Sequence, residues 1–322
     1  MLDDIGIYVA LAFLLDLLVG DPRWIPHPAV MIGKAITFTE NMSRRISRSP
    51  AALIITGLLT VIVIVGGSWC LTWFFVRWAF GFSFWAGAAL SVWLISTTIA
   101  ARGLASAASE IYGLLKKGDL YEARRKVGLI VGRDTGNMEP RCVVRATVET
   151  VSEGIVDGVV APLFYAFIGG APLAMAYRAA NTLDSMLGYR NERYINYGKA
   201  SARFDDLVNY IPARLAGVFL LAASWMLGMR TKGALDAILK DASGHPSPNS
   251  GIPESAVAGA LGVRLGGLNY YNGCASFRAY MGKDLKPLEL LHINQAVRLM
   301  FLSSTIAVLA GIIISYLTSM AF

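Results

Sequence analysis

Charge is scarce in this sequence. Of 322 residues only 16% are Asp, Glu, Lys or Arg, where a soluble globular chain carries about 25%. Histidine and cysteine are scarcer still, at three each. Cys70, Cys142 and Cys274 lie far apart with no CxxC pair, so they read as unpaired, mostly buried thiols and exclude a thiolate metal site. No GxxxxGK[ST] run occurs, nor a GxGxxG between a strand and a helix, so any nucleotide must bind without a Walker loop. No Ser/His/Asp or Cys/His set stands in a recognisable context. No Lys/Arg block stands apart from mixed-sign sequence, which argues against nucleic acid as a partner. The N-terminus carries Asp3 and Asp4 in place of a basic region, and no small-residue cleavage site follows the first apolar run. That run reads as a retained helix.

What is abundant is apolar sequence, 55% of the chain, with a mean hydropathy of +0.52. Crossing the hydrocarbon takes roughly 20 apolar residues. Residues 51–76 and 84–101 suffice and form a helical hairpin closed around Gly81; 299–317 is a third span. The run 5–19 is short and contains Asp16, so it spans only with help. Residues 155–177 are interrupted by Gly169-Gly170-Ala171-Pro172, and 211–228 carries Arg214. Each of these two is a span, a re-entrant hairpin or a buried helix. Alternating β patterns are absent. The expected fold is therefore all-α: one membrane-embedded, polytopic domain over 1–322 whose helical loops form the site.

The loops 20–50, 102–154, 178–210 and 229–298 are basic, and the net charge is +7. The positive-inside rule places all four in the cytoplasm, which fits only if 155–177 and 211–228 do not both cross. Residues 103–130 read as a helical pair broken at Gly118-Asp119.

Three charged constellations stand against this apolar background. From Glu139-Pro140 a helix begins in which Arg141, Arg145, Glu149 and Glu153 step by four along one face, with Asp157 drifting off the row. Such a row is ordinarily solvated surface, but this helix runs straight into the apolar segment 155–177, where uncompensated charge is costly and usually functional. Two carboxylates one turn apart beside arginines suit Mg²⁺ and phosphate. In the second, Arg178, Asn181, Asp184 and Ser185 share a helix face, "GYRNER" adds Arg190, Asn191 and Arg193, and Asp205, Asp206 and Asn209 follow. In the third, "GHPSPNSGIPESAVAGALGVRLGG", Ser250 caps a helix with Pro253 and Glu254 in its first turn. Its free N–H groups offer an anion site, and Ala256, Ala258, Gly259 and Ala260 allow close packing. A proline-stiffened segment, "GDPRWIPHP", holds Asp21 and His27 after the first apolar run, with Arg23 and Trp24 as interfacial anchors.

The blocks "LLDLLVGDPRWIPHPAVMIGKAI", "RDTGNMEPRCVVRATVETVSEGIVDG" and "HPSPNSGIPESAVAGALGVRLGGLNYYNG" closely resemble the CobD/CbiB family, over about residues 11–300. The resemblance implies an adenosylcobinamide-phosphate synthase of cobalamin biosynthesis. Its reaction is an ATP- and Mg²⁺-dependent ligation joining a propionate carboxylate of adenosylcobyric acid to the amine of (R)-1-aminopropan-2-yl phosphate. Implied partners are those substrates, membrane lipid, a second copy of the chain and other late membrane enzymes of the pathway, on the cytoplasmic membrane with the site facing the cytoplasm.

Residue roles follow from side-chain chemistry placed on those blocks. Glu149, Glu153 and Asp184, with Asp157 in addition, would hold Mg²⁺. Arg145, Arg178, Arg190 and Arg193 would hold phosphates, with Arg203 and Arg264 as further candidates. Asp205 or Asp206 would take a proton from the attacking ammonium. Asn249, Ser250 and the following turn would seat one phosphate, and His27, Arg133, Asp134, Asn181, Asn191, His245 and Glu254 complete the substrate-binding set. Two other classes compete. "NTLDS" and "FDD" loosely resemble the Asp-rich motifs of intramembrane prenyl transferases, and a transporter or membrane sensor could share the helical scaffold without ligase activity.

Overall fold

Prolines and small polar residues set where the helices begin. The computed structural model describes residues 5–21, 26–46, 49–189, 191–271 and 273–321. It places α1 over Ile5–Leu18, α2 over Pro28–Ile46, α3 over Pro50–Phe82, α4 over Phe84–Ser96, α5 over Ala101–Lys116 and α6 over Leu120–Val127. Next come α7 (Pro140–Ile155), one π-turn (Val156–Val160), α8 (Ala161–Leu187), α9 (Lys199–Val208), α10 (Tyr210–Met226) and α11 (Thr231–Asp241). The chain then forms α12 (Gly251–Leu261), β1 (Leu265–Tyr271), β2 (Cys274–Met281) and α13 (Leu291–Ala321). Pro28, Pro50 and Pro140 each open a helix, where the missing N–H has no partner to lose. Asp119 caps α6 by accepting from Glu122 N–H at 3.1 Å, and Gly118 takes φ +79 to reverse the chain, as the helical-pair reading required.

Among the described residues four helical runs are long and apolar enough to cross a membrane: Pro50–Phe82, Phe84–Lys116, Pro140–Leu187 and Leu291–Met320. A bent pair, α9 with α10 at 46°, makes a fifth if it counts as one span. Helix α1 has 14 residues, short of that length. The first hairpin closes at Ser83, not around Gly81: Ser83 ends α3 and caps α4, its Oγ accepting from Ala86 N–H at 3.1 Å, while Gly81 stays helical. The interruption in α8 falls at Gly169-Gly170, where Gly170 adopts φ +63. Among the described residues the fold is helical apart from one feature the sequence reading did not contain, the antiparallel β1–β2 hairpin. Another correction concerns the thiols, which are free but not mostly buried: Cys70 and Cys274 are exposed, and only Cys142 is half-buried.

The chain forms two compact units. The first comprises Met1–Ala100, Ala161–Asn209 and Val308–Phe322. Its core joins Ile36 of α2 and Ile64 of α3 to Leu183 and Leu187 of α8 around Tyr197, whose hydroxyl meets Thr60 Oγ1 at 2.7 Å. Gly57 is required there, since a Cβ would sit 2.1 Å from the Tyr197 carbonyl oxygen. The outer face of α3 leaves Leu58, Leu59, Ile62, Val63, Phe74 and Phe75 exposed, a surface suited to lipid.

The second unit comprises Ala101–Val160 and Tyr210–Ala307. Here Ile111 of α5, Ala123 and Val127 of α6, and Val143 and Ala146 of α7 close one core. Helix α12 is buried along its whole length, Gly251 to Leu261. It crosses α11 with backbones nearly touching: a Cβ at Gly259 would lie 2.2 Å from the Gly233 carbonyl oxygen. Gly259→Val is therefore expected to destabilise this unit by about 3 kcal/mol, read as a lower thermal midpoint in detergent. An unchanged midpoint would show that the crossing is loose.

Candidate active site

In the second unit, three segments far apart in sequence converge. The first is α7, which Glu139-Pro140 starts as the sequence predicts. On its buried face Glu149 accepts from Arg133 Nη2 at 2.5 Å and from Gly266 N–H at 2.9 Å, and Arg145 Nε approaches it at 3.8 Å. Arg133 and Glu149 are both nearly inaccessible to solvent, so this is a buried ion pair.

The second segment is the hairpin. Arg145 donates to the Gly266 carbonyl at 2.5 Å, to the Leu268 carbonyl at 2.8 Å and to Asn269 Oδ1 at 3.0 Å. Arg133 also donates to Asn269 Oδ1. A bulge between Leu265 and Gly267 turns these groups toward α7. It needs glycine, with φ +82 at Gly266 and +93 at Gly267. Asp134 clasps the far end, its carboxylate accepting from Gly273 N–H at 2.7 Å.

The His-Pro turn and α12 supply the third segment. Ser250 stands at the N-cap position without capping: its hydroxyl donates to Glu153 Oε1 at 3.2 Å, because its own backbone is already helical. Asn249 accepts from Arg214 Nη1 at 2.7 Å, and the Asn249 and Ser250 N–H groups turn to Ser247 Oγ. The turn expected to seat a phosphate is thus hydrogen-bonded within the chain. Glu254 is wholly buried, with His245 Nε2 at 3.4 Å and Arg278 Nη1 at 3.9 Å. Burial pushes its pKa up to about 7, and the charges of Glu149 and Glu153 push the same way against the lowering hydrogen bond from His245. For His245, burial pulls the pKa down but the Glu254 partner outweighs it, so it lies above the ordinary value.

The acidic groups of the first unit form a separate arrangement. Asp205 on α9 is nearly buried and accepts from Asn209 Nδ2 at 2.9 Å; Asn209 accepts from the Tyr177 hydroxyl at 2.8 Å, and Asn181 and Asp184 of α8 lie beside Asp205. Asp206 follows on the same helix, half-buried, and Arg178 is half-buried on α8. Arg193 and Arg44 both donate to the buried Glu40 carboxylate, at 2.9 and 2.8 Å. Asn191 Oδ1 accepts from Tyr194 N–H at 3.0 Å and so holds its own turn. His27 accepts from Ala29 N–H at its Nδ1, 3.2 Å, capping α2, and its Nε2 meets Asp21 at 3.1 Å. Arg203 is exposed. Arg190, Arg23 and Trp24 lie outside the described residues. Asp157 sits in the π-turn after α7, a distortion frequent at functional sites.

Among the described residues no group of three or more His, Cys, Asp or Glu side chains gathers into a metal cage. Sequence reasoning missed Arg278, Asn269 and Arg214. The first two sit on strands that were not foreseen, and Arg214 was read only as a charge inside an apolar run.

A polytopic helical membrane protein with a buried carboxylate–guanidinium centre is the class these features define. The CobD/Cbib protein family profile matches residues 9–300. The chain is 47% identical over 310 residues to a "Cobalamin biosynthesis protein CobD" of Geobacter metallireducens, covering 96% of each. It is 44% identical over 297 residues to a "Cobalamin biosynthesis protein CbiB" of Salmonella typhimurium, covering 92% of this chain and 93% of that one. No solved structure matches. This chain belongs to the CobD/CbiB family of cobalamin biosynthesis proteins.

Proposed function

We propose that the protein is an adenosylcobinamide-phosphate synthase: an ATP-dependent ligase that joins adenosylcobyric acid to (R)-1-aminopropan-2-yl phosphate. A propionate carboxylate oxygen attacks the γ-phosphorus of ATP and ADP leaves. The amine then attacks the acyl carbon, phosphate leaves and the ammonium proton is lost. Both steps need charge neutralisation and positioning more than a protein nucleophile. The observation that supports this reading is the convergence of Arg133, Arg145, Arg278, Glu153 and Glu254 in one unit of a chain from this family.

Mg²⁺ is usually held by one or two carboxylates together with substrate phosphates and water, so the lack of a three-carboxylate cage does not conflict with it. Glu149 already meets Arg133, Arg145 and the Gly266 N–H. Glu153, which accepts one neutral hydroxyl, is the better ligand of that unit, with Asp157 next along the chain and Asp184 the candidate in the other unit. Bound there, the ion would neutralise phosphate charge. Two groups qualify to take the ammonium proton: the His245–Glu254 pair, and Asp205 with Asp206. Partners under this reading are the corrinoid, the amine phosphate, ATP, lipid, a second copy of the chain and neighbouring pathway enzymes, at the cytoplasmic membrane with the site facing inward.

Purified protein with ATP, Mg²⁺, cobyric acid and aminopropanol phosphate is expected to yield the phosphorylated amide and ADP; no product would sink the reading. Glu153→Gln is expected to lower the rate about tenfold and raise the Mg²⁺ requirement, while a normal Mg²⁺ dependence moves the assignment to Asp184, tested as Asp184→Asn. Comparing His245→Gln with Asp205→Asn separates the two proton acceptors.

A further inference from the structure

Beside the α7–hairpin clasp lies a small cavity of about 160 Å³, bordered by Arg141, Cys142, Arg145, Arg264 and Tyr280. A water occupies about 30 Å³ of liquid, so the space takes several waters or one phosphoryl group. Three guanidiniums meet there. Two are fixed in advance: Arg145 by the hairpin carbonyls, and Arg264 by lying 4.3 Å over the Tyr280 ring. Arg264 and Arg141 share one carboxylate, Asp284, at 3.2 Å and 3.7 Å, and Arg145 Nε lies 3.8 Å from Glu149. Glu149, the other nearby carboxylate, is already balanced by Arg133. Three positive charges against one leave the cavity two negative charges short, which is the charge a phosphate monoester carries near neutral pH. Planar guanidinium forks suit its oxygens better than ammonium groups would.

We infer that this cavity is a seat for a phosphate monoester dianion, held by Arg141, Arg145 and Arg264. The geometry stands apart from the ligase reading, and its test reads binding, not turnover. Under that reading the dianion is the amine substrate's phosphate, with the ATP polyphosphate as the competing source.

Cys142 at the cavity wall serves as a reporter. In a Cys70→Ser/Cys274→Ser protein in detergent, iodoacetamide alkylation of Cys142 is followed by mass spectrometry at constant ionic strength. Inorganic phosphate and aminopropanol phosphate are expected to slow it, and chloride and aminopropanol are not. Arg264→Gln and Arg141→Gln are each expected to raise the half-protecting concentration about tenfold, the effect of one charged hydrogen bond. Arg125→Gln, at an α6 guanidinium paired with Glu122 and not bordering the cavity, should leave it unchanged. Protection by none of the phosphates, or equal protection in the arginine variants, overturns the inference. Protection by MgATP alone overturns the monoester assignment in favour of a nucleotide. If the serine substitutions impair folding, phosphate must still raise the thermal midpoint of the unmodified protein and raise that of Arg264→Gln less at the same concentration.

Discussion

Glu149→Ala is expected to destabilise the second unit by about 3–5 kcal/mol, the cost of leaving a buried charge without its partner. Arg133 would lose the carboxylate it meets at 2.5 Å, and the Gly266 N–H would lose its acceptor at 2.9 Å. Arg145 would keep its bonds to the hairpin carbonyls. Removing both charges, as Arg133→Met with Glu149→Leu, should be far less damaging than either change alone, because no uncompensated ion remains. Thermal unfolding in detergent reads both. The same variants decide what Glu149 is for. If it were chiefly a metal ligand, Glu149→Gln would keep the midpoint and shift the Mg²⁺ dependence of the reaction. The buried ion pair predicts the reverse, a lowered midpoint with an unaltered Mg²⁺ requirement in the protein that remains folded.

This contrast shows where sequence reading reaches and where it stops. Glu139-Pro140 fixed the start of α7, Gly118-Asp119 the break between α5 and α6, and Gly169-Gly170 the interruption of α8, because each signal acts over one helical turn. The row Arg145, Glu149, Glu153 was visible at its four-residue spacing, yet its partners were not. Glu149 bonds a backbone amide 117 residues away, and nothing local announces that contact. The hairpin carried a local signal that went unread, Asn272-Gly273 between the aromatic-rich runs ending at Tyr271 and starting at Cys274. Recognising it would have brought Asn269 and Arg278 into the site. Ser250 shows the opposite failure: a correct cap residue at the correct position, drawn to Glu153 by a tertiary contact.

The second large effect belongs to the His245–Glu254 pair, and it depends on pH. Glu254 is held at about 7 by burial, and His245 stays above its ordinary value because Glu254 faces it. The folded pair therefore keeps a proton at a pH where the unfolded chain has released both. Stability falls as pH rises wherever the native state binds more protons than the unfolded one. The Glu254 contribution is thus fully present below the unfolded glutamate value, about 4.3, and is lost as pH rises to its folded value of about 7, while the His245 contribution is fully present below about 6.5 and is lost as pH rises through its raised folded value. The charged groups around the pair are Arg278 from β2 and Glu149 and Glu153 from α7. The part of the slope that Glu254→Gln removes is the part that reports the pair. The thermal midpoint should be higher at pH 6 than at pH 8, and the difference should shrink in Glu254→Gln, which removes the buried charge while keeping the shape. His245→Ala takes away the partner and leaves Glu254 with only the more distant Arg278. It is expected to cost about 3 kcal/mol or more at pH 8 and much less at pH 6, where Glu254 holds its own proton. Equal midpoints at the two pH values in the unmodified protein would remove the shared proton from this account.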